Sequence, residues 1–310
     1  MFDAKNFINK SVDEIRVKVK DGGVVGACSG GVDSTVVATL VRKAIGDRLL
    51  AVFIDDGLRR EGEPRHAVKV LKELGMRVRL TDAKREFFQA LKGVTDAEEK
   101  RKVFRHEFYS VLGRVIKDEG ARYLAQGTIA ADIVETVRGI KTQQNVLEQI
   151  GIDPKTYGFE LIEPLKELYK PQVRAVAREL NLPKEVSERM PFPGPGLCVR
   201  VLGEVTKERI DIIRKATEIV EEETKNLEAF QSFAVLYGDR ATGIKDGKRV
   251  YGNIIAVRAV ESADAITAKA MEIPYETLKR ISEKITGEIP EVVRVCYDVT
   301  DKPPGTIEYE

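Results

Sequence analysis

The chain has 310 residues, 43% hydrophobic and 33% charged, with 51 lysines and arginines set against 50 acidic residues for a net charge of +1. This length predicts about two domains with real cores, and so balanced a charge supplies no global field to gather a nucleic-acid backbone. Three widely spaced cysteines, Cys28, Cys198 and Cys296, with no C-x-x-C pair, argue against a disulfide framework or a zinc site and fit a reducing cytoplasm.

The first segment, MFDAKNFINK, lacks the apolar run of a signal peptide, and nowhere do about eighteen apolar residues follow one another, so no membrane span is expected. Phe7, Ile8, Val12, Ile15 and Val19 predict an amphipathic helix over Asp3 to Lys20, closed by Asp21-Gly22-Gly23. A short strand at Val24 to Cys28 and a helix at Val32 to Ile45 follow, and between them runs Ser29-Gly30-Gly31-Val32-Asp33-Ser34-Thr35. The continuous apolar run Leu49 to Ile54 predicts a strand covered on both faces, ending at Asp55-Asp56-Gly57. Helices near Glu63 to Leu74 and Asp96 to Lys117, with strands near Met76 to Leu80, Tyr123 to Ala125 and Glu160 to Ile162, continue the alternation. A helix from Pro171 to Leu180 closes it, and the pattern predicts an α/β fold with a doubly wound parallel sheet.

In such sheets ligands bind outside the carboxyl ends of the strands, which draws Ser29 to Thr35, Asp55 to Arg60 and Gly127 to Asp132 around one crevice. The stretch Pro191-Phe192-Pro193-Gly194-Pro195-Gly196 forbids regular structure and predicts a border near residue 190, giving domains 1–189 and 190–310. Beyond it, helices over Thr206 to Asn226 and Tyr275 to Thr286 are expected, with strands over Ser232 to Tyr237, Tyr251 to Val260 and Val292 to Val299. These make a second, smaller α+β unit. There is no internal repeat.

The strand, glycine-rich loop and helix around Ser29 to Thr35 converge backbone N–H groups and a helix N-terminus on one point that suits an anion. The familiar G-x-x-x-x-G-K-[ST] loop has a lysine, whereas here Asp33 stands among the hydroxyls of Ser29, Ser34 and Thr35. A carboxylate beside a polyphosphate implies a bridging hard cation, hence Mg²⁺. The plain alternative is a glycine turn capped by Asp33 or Ser34. His66 and His106 fall on predicted surface helices away from every motif, so imidazole chemistry is not expected.

The string SGGVDS resembles the pyrophosphate loop of the N-type ATP pyrophosphatases, a resemblance that leaves xanthylate, citrulline, aspartate, deamido-NAD and tRNA bases open as substrates. PFPGPGLCVRVLGEV (Pro191 to Val205), AVRAVES (Ala256 to Ser262) and KPPGTIEYE (Lys302 to Glu310) resemble signatures of the GMP synthetase synthase domain. With FIDDGLRR, QGTIAADIVET and IEPLKELYK, this similarity covers essentially the whole chain. The resemblance implies an adenine nucleotide α-hydrolase-like sheet with a dimerisation domain behind it, and hence a homodimer. It also implies adenylation of the C2 oxygen of xanthosine 5′-monophosphate (XMP) by ATP, followed by displacement of AMP by ammonia to give GMP.

On that resemblance Ser29, Gly30, Gly31, Val32, Asp33, Ser34 and Thr35 hold pyrophosphate, with Asp33 on Mg²⁺. The backbone at Ile54 faces adenine, Gly127 belongs to the ATP site, and Asp132 with Glu135 is a second candidate for metal or ATP contact from a loop. Lys141 and Lys170 border a lid and neutralise charge on the α phosphate, so that Asp33, Lys141 and Lys170 form the catalytic set. Arg60, Arg200, Lys302, Ile307 and Glu308 make the XMP site, with Arg200 and Lys302 on phosphate and Glu308 on the purine N–H groups. The chain departs from the family in carrying Gln143-Gln144 in place of a histidine pair, and Ala131 in place of a proline.

A glutaminase needs a cysteine nucleophile with a histidine base, and packing is the expected role of all three cysteines. Ammonia is therefore expected from solution or from a separate glutamine amidotransferase subunit, as in archaeal two-subunit enzymes. Two rival readings are a tRNA-modifying thiolase, which needs a cysteine pair or an RNA-binding domain, and a nucleotide sensor without turnover. Release of AMP from ATP, and its dependence on XMP, separates the three.

Overall fold

A computed structural model describes residues 2–137, 146–147, 153–187, 189–262 and 265–310. The chain divides into two compact units: Met1–Asp56 with Gly62–Glu86 and Arg105–Arg189, and Gly57–Glu61 with Phe87–Phe104 and Met190–Glu310.

The first unit opens with α1 (Ala4–Val19), whose N-cap Asp3 accepts from the Asn6 N–H, followed by β1 (Val24–Ala27), α2 (Val32–Ile45) and β2 (Leu49–Asp55). Then come α3 (Glu63–Glu73), β3 (Arg77–Asp82), α4 (Lys84–Ala90), α5 (Ala97–Asp118), β4 (Tyr123–Ala125), α6 (Ala130–Val137), β5 (Glu160–Ile162), α7 (Lys170–Glu179) and α8 (Lys184–Ser187). The last residues of α4 and the first turns of α5 belong to the second unit.

The five strands form one parallel sheet in the order β3-β2-β1-β4-β5, as the alternating apolar runs require. All seven residues of β2 are buried, which fits a strand covered on both faces. One apolar cluster joins Ile8, Val12 and Ile15 of α1, Val36, Leu40 and Val41 of α2, and Val173, Val176 and Ala177 of α7 to the sheet. The order reverses direction at β1, so the chain ends of β1 and β4 open where the ligand crevice of such sheets lies.

The second unit contains α9 (Lys207–Thr224), β6 (Gln231–Lys245), β7 (Lys248–Glu261), β8 (Lys269–Ala270), α10 (Tyr275–Glu288) and β9 (Val292–Tyr297). Its sheet is antiparallel through β6-β7-β8, while β9 pairs with β7 in parallel. Phe233, Val235, Ala256, Val260, Ala268 and Ile307 form its core cluster.

Several expectations change. Asp132 does not sit in a loop: it lies in the first turn of α6, with its Oδ2 accepting from the Ile129 N–H, a helix-initiating contact that no apolar period announces. Strands β6 and β7 run 15 and 14 residues, well beyond the apolar stretches that predicted them, because they form a hairpin closed by Asp246-Gly247. Both turn residues have positive φ (50° and 72°), the geometry of a two-residue turn for which an Asp-Gly pair is well suited. Cys28 and Cys198 are buried as expected, but Cys296 is exposed, so packing does not account for it. No helix among the described residues is long and apolar enough to cross a membrane.

Candidate active site

The serine-glycine loop leaves β1 at Ala27 and enters α2 at Val32, with Gly31 as N-cap. Its hydroxyls knit it internally: Ser34 Oγ accepts from the Ser29 N–H at 3.1 Å and Thr35 Oγ1 donates to the Gly31 carbonyl at 2.8 Å. The Thr35 N–H also bonds the Gly31 carbonyl, which leaves the N–H groups of Val32, Asp33 and Ser34 heading the helix with no carbonyl of their own turn to meet. Together with the helix dipole they make an anion seat.

Gly30 is left-handed (φ 76°), and a Cβ there would stand 3.0 Å from the Arg189 guanidinium and 3.1 Å from Ala67 Cβ, so glycine is required. Arg189 braces the loop by donating to the Gly30 carbonyl at 3.2 Å while pairing with the buried Glu63 at 2.7 Å. The sequence reading did not find either residue, because the contact spans 159 positions and no local pattern marks it.

Asp33, on the first turn of α2, meets the Lys170 ammonium through both carboxylate oxygens at 2.9 and 2.7 Å. Lys170 is the first residue of α7, where a helix dipole favours anions over cations. A cation held there against the dipole suits an anionic ligand. Asp33 remains partly open, with a side-chain exposure of 26%. Mg²⁺ is commonly bound by one or two carboxylates plus substrate phosphates, and one accessible carboxylate beside an anion seat fits that arrangement.

The loop after β4 reaches the same place. A Cβ on Gly127 would lie 2.8 Å from the Ser34 nitrogen and 3.0 Å from Asp33 Cβ, so the absence of a side chain lets this loop lie against the helix N-terminus. Its neighbours are tied down through Glu163, which accepts from Gln126 Nε2 at 2.8 Å and from Thr128 Oγ1. Gln126 in turn accepts from the Tyr109 hydroxyl, whose pKa burial drives upward. The QGT and IEP motifs are thus two halves of one hydrogen-bonded network.

Along β2 the Val52 carbonyl accepts from the Cys28 N–H and the Asp55 carbonyl from the Ala83 N–H. By strand alternation, Ile54 turns its N–H and C=O to the β1 side, past the point where β1 has ended. Burial pushes the adjacent Cys28 thiol up to about 12, which removes it as a nucleophile. Lys141, Gln143 and Gln144 lie outside the described residues.

In the second unit, Arg60 bonds Glu221 at 2.7 Å, and its guanidinium lies 4.2 Å from the Phe192 ring centroid. It lines a cavity of about 290 Å³ with Glu61, Leu197, Arg214, Thr217, Glu218, Glu221 and Glu222. Arg200 lies over the same Phe192 ring at 5.0 Å, so the Pro-Gly stretch seats both guanidiniums on one aromatic.

Arg200 and Glu308, assigned on resemblance to phosphate and purine respectively, meet one another in this structure. The two form a buried bidentate pair at 3.0 and 2.9 Å, because planar guanidinium and carboxylate match one another as well as either matches a ligand. Gln231, which the sequence reading passed over, donates to Glu308 Oε1 at 3.2 Å and to the Pro191 carbonyl at 3.1 Å. Ile307 packs in the core cluster beside them, and Lys302 donates to the Ala265 carbonyl at 2.8 Å.

Comparison with known proteins bears on the same segments. Residues 2–111 match the NAD synthase family and residues 218–309 match the GMP synthase C terminal domain. A protein of Archaeoglobus fulgidus, named as one subunit of a glutamine-hydrolyzing GMP synthase, is 55% identical over 99% of this chain and 100% of its own length. Proteins of the same name from Methanocaldococcus jannaschii and Methanopyrus kandleri are 51% and 49% identical over the whole of both chains. The chain belongs to this family of GMP synthase subunits. The GMP synthase C terminal domain match takes in Gln231, Lys302, Ile307 and Glu308, while Pro191 to Val205 lies before it, within the full-length similarity to these relatives.

Proposed function

We propose that the chain is the ATP-pyrophosphatase subunit of a two-subunit GMP synthase, a ligase that forms a C–N bond in purine biosynthesis. The observation that carries this reading is the full-length similarity to proteins named as a subunit of glutamine-hydrolyzing GMP synthase. The loop geometry of the first unit supports it independently.

The C2 oxygen of XMP attacks the α phosphorus of ATP, and the bond to the β phosphate breaks to release pyrophosphate. A urea-like oxygen is a poor leaving group, whereas the adenylate departs readily. Ammonia then attacks C2, the C–O bond breaks with its electron pair to give AMP, and the nitrogen loses a proton to leave GMP. Ammonia comes from a separate glutamine amidotransferase subunit, as the relatives' subunit naming suggests.

The N–H groups of Val32, Asp33 and Ser34, with Ser29, Gly30, Gly31 and Thr35, hold the pyrophosphate portion of ATP. Ile54 offers an N–H and a C=O to the adenine edge, and Gly127 gives the nucleotide close access to backbone. Asp33, with Asp132 as second candidate, would hold Mg²⁺, which when bound neutralises phosphate charge. Lys170 exchanges Asp33 for the α phosphate, where it stabilises developing charge alongside Lys141. In residues 190–310 together with Arg60, the groups Arg60, Arg200, Lys302, Ile307 and Glu308 bind XMP. The same domain mediates a homodimer, a reading supported by the exposed Ile244 and Tyr251 on its hairpin. The enzyme acts in the cytoplasm, without membrane or nucleic acid.

The deciding assay supplies the pure chain with ATP, Mg²⁺, XMP and ammonium, then measures AMP and GMP. Both are expected in equal amounts, with none when glutamine replaces ammonium. AMP release independent of XMP, or GMP formed from glutamine by this chain alone, overturns the reading.

A further inference from the structure

Lys100 is completely buried near the start of α5, in a part of the helix that belongs to the second unit. Its ammonium donates to the Val201 carbonyl at 2.6 Å and to Glu310 Oε2 at 2.5 Å. Val201 directly follows Arg200, and Glu310 stands two residues beyond Glu308. One ammonium therefore ties together the two chain segments that bring Arg200 and Glu308 into their bidentate pair. Arg101, next along the helix, donates to the Glu310 backbone carbonyl.

A second buried cation holds the other end of the same segment. Arg258 of β7, fully buried, donates to the Thr300 carbonyl and, at 3.0 Å, to the Thr306 carbonyl. Those two carbonyls bracket Lys302. Each of Lys302, Ile307 and Glu308 thus lies within two residues of a group held by a buried cation from elsewhere in the unit.

Two buried cations are a poor choice if cohesion alone is wanted, since desolvating each is costly and well-packed apolar residues often do as well. What they add is direction: a charged donor fixes where its acceptor sits. We propose that Lys100 is a positioning residue for XMP, acting through the segment Lys302 to Glu310 that it fastens at one end as Arg258 does at the other. This rests on the assignment of that segment to the XMP site.

Removing the whole segment would be a poor test, because it strips partners from buried Arg200 and Lys100 together. Glu310→Gln keeps the shape and removes the charge that faces Lys100 and its neighbour Arg101, while Lys100→Met removes the donor; both are made in the full chain, singly and together. Three quantities are read: XMP affinity by calorimetry, ATP affinity, and amide exchange across residues 302–310.

For Glu310→Gln we expect XMP binding weaker by about tenfold, the scale on which residues without ligand contact modulate binding. ATP affinity should be unchanged and exchange in residues 302–310 faster, with the double variant no worse than the worse single one. If Glu310→Gln binds XMP as the unsubstituted chain does, or leaves exchange unchanged, the positioning role is wrong even should Lys100→Met fail to fold. If the unsubstituted chain itself does not bind XMP, the functional reading fails and the positioning role with it, a result distinct from unaltered binding in the variants.

Discussion

Asp33 and Lys170 neutralise each other at the mouth of the serine-glycine loop, and an ion pair this exposed contributes only about 0–1 kcal/mol to stability. On the proposed function, its importance lies in the ligand that replaces it. Asp33→Asn should leave thermal unfolding within a few degrees of the parent, because Asn retains size and hydrogen-bonding capacity. AMP release in the presence of XMP should fall by about 100-fold, comparable to removing one well-placed electrostatic group. Unfolding scans and an AMP assay check the two halves separately, and near-parental turnover would remove Asp33 from the metal role. The identity of the loop was legible because its chemistry is contiguous, seven residues between a strand and a helix. Arg189, Glu63 and Gln231 were not legible: each acts through a partner 40 or more residues away, and a periodicity argument sees about one turn of helix.

Among elements, the junction between the β4 loop and α2 is a tight contact at the serine-glycine loop. A methyl group on Gly127 would have to displace the Ser34 nitrogen and the Asp33 backbone, neither of which is the flexible end of a side chain. Gly127→Ala should therefore cost about 1–3 kcal/mol of stability and move the first turn of α2, raising the ATP dissociation constant while leaving XMP affinity alone. Denaturant titration and calorimetry with each nucleotide read these effects. Unaltered ATP affinity would mean that the two loops do not share the nucleotide. The same scale shows what pattern reading finds. The parallel sheet was legible from β2 alone, a run of apolar residues buried throughout. The long hairpin was not, since beyond Leu236 and before Ile255 its strands carry Arg240, Gly243, Arg249 and Gly252, residues that pair backbone to backbone without an apolar face. Nor was α6, in whose first turn the Asp132 carboxylate accepts from the Ile129 N–H.

For the molecule as a whole, sequence position and unit membership part company. Gly57–Glu61 and Phe87–Phe104 belong with Met190–Glu310, and they supply the buried Leu58, Phe87, Leu91, Lys100 and Phe104. A fragment comprising residues 190–310 alone should consequently unfold without cooperativity, lacking that apolar surface and the cation that meets Glu310. Urea unfolding followed by circular dichroism tests this, and a sharp transition at the parental midpoint would show that the early segments are dispensable. The interleaving also sets a timetable for biosynthesis. Lys100 leaves the ribosome 210 residues ahead of Glu310, an interval of about 10–40 s at 5–20 residues per second. During that wait a lysine destined for the interior lacks the Glu310 carboxylate, so the contact that completes the clamp can form only after translation reaches that residue.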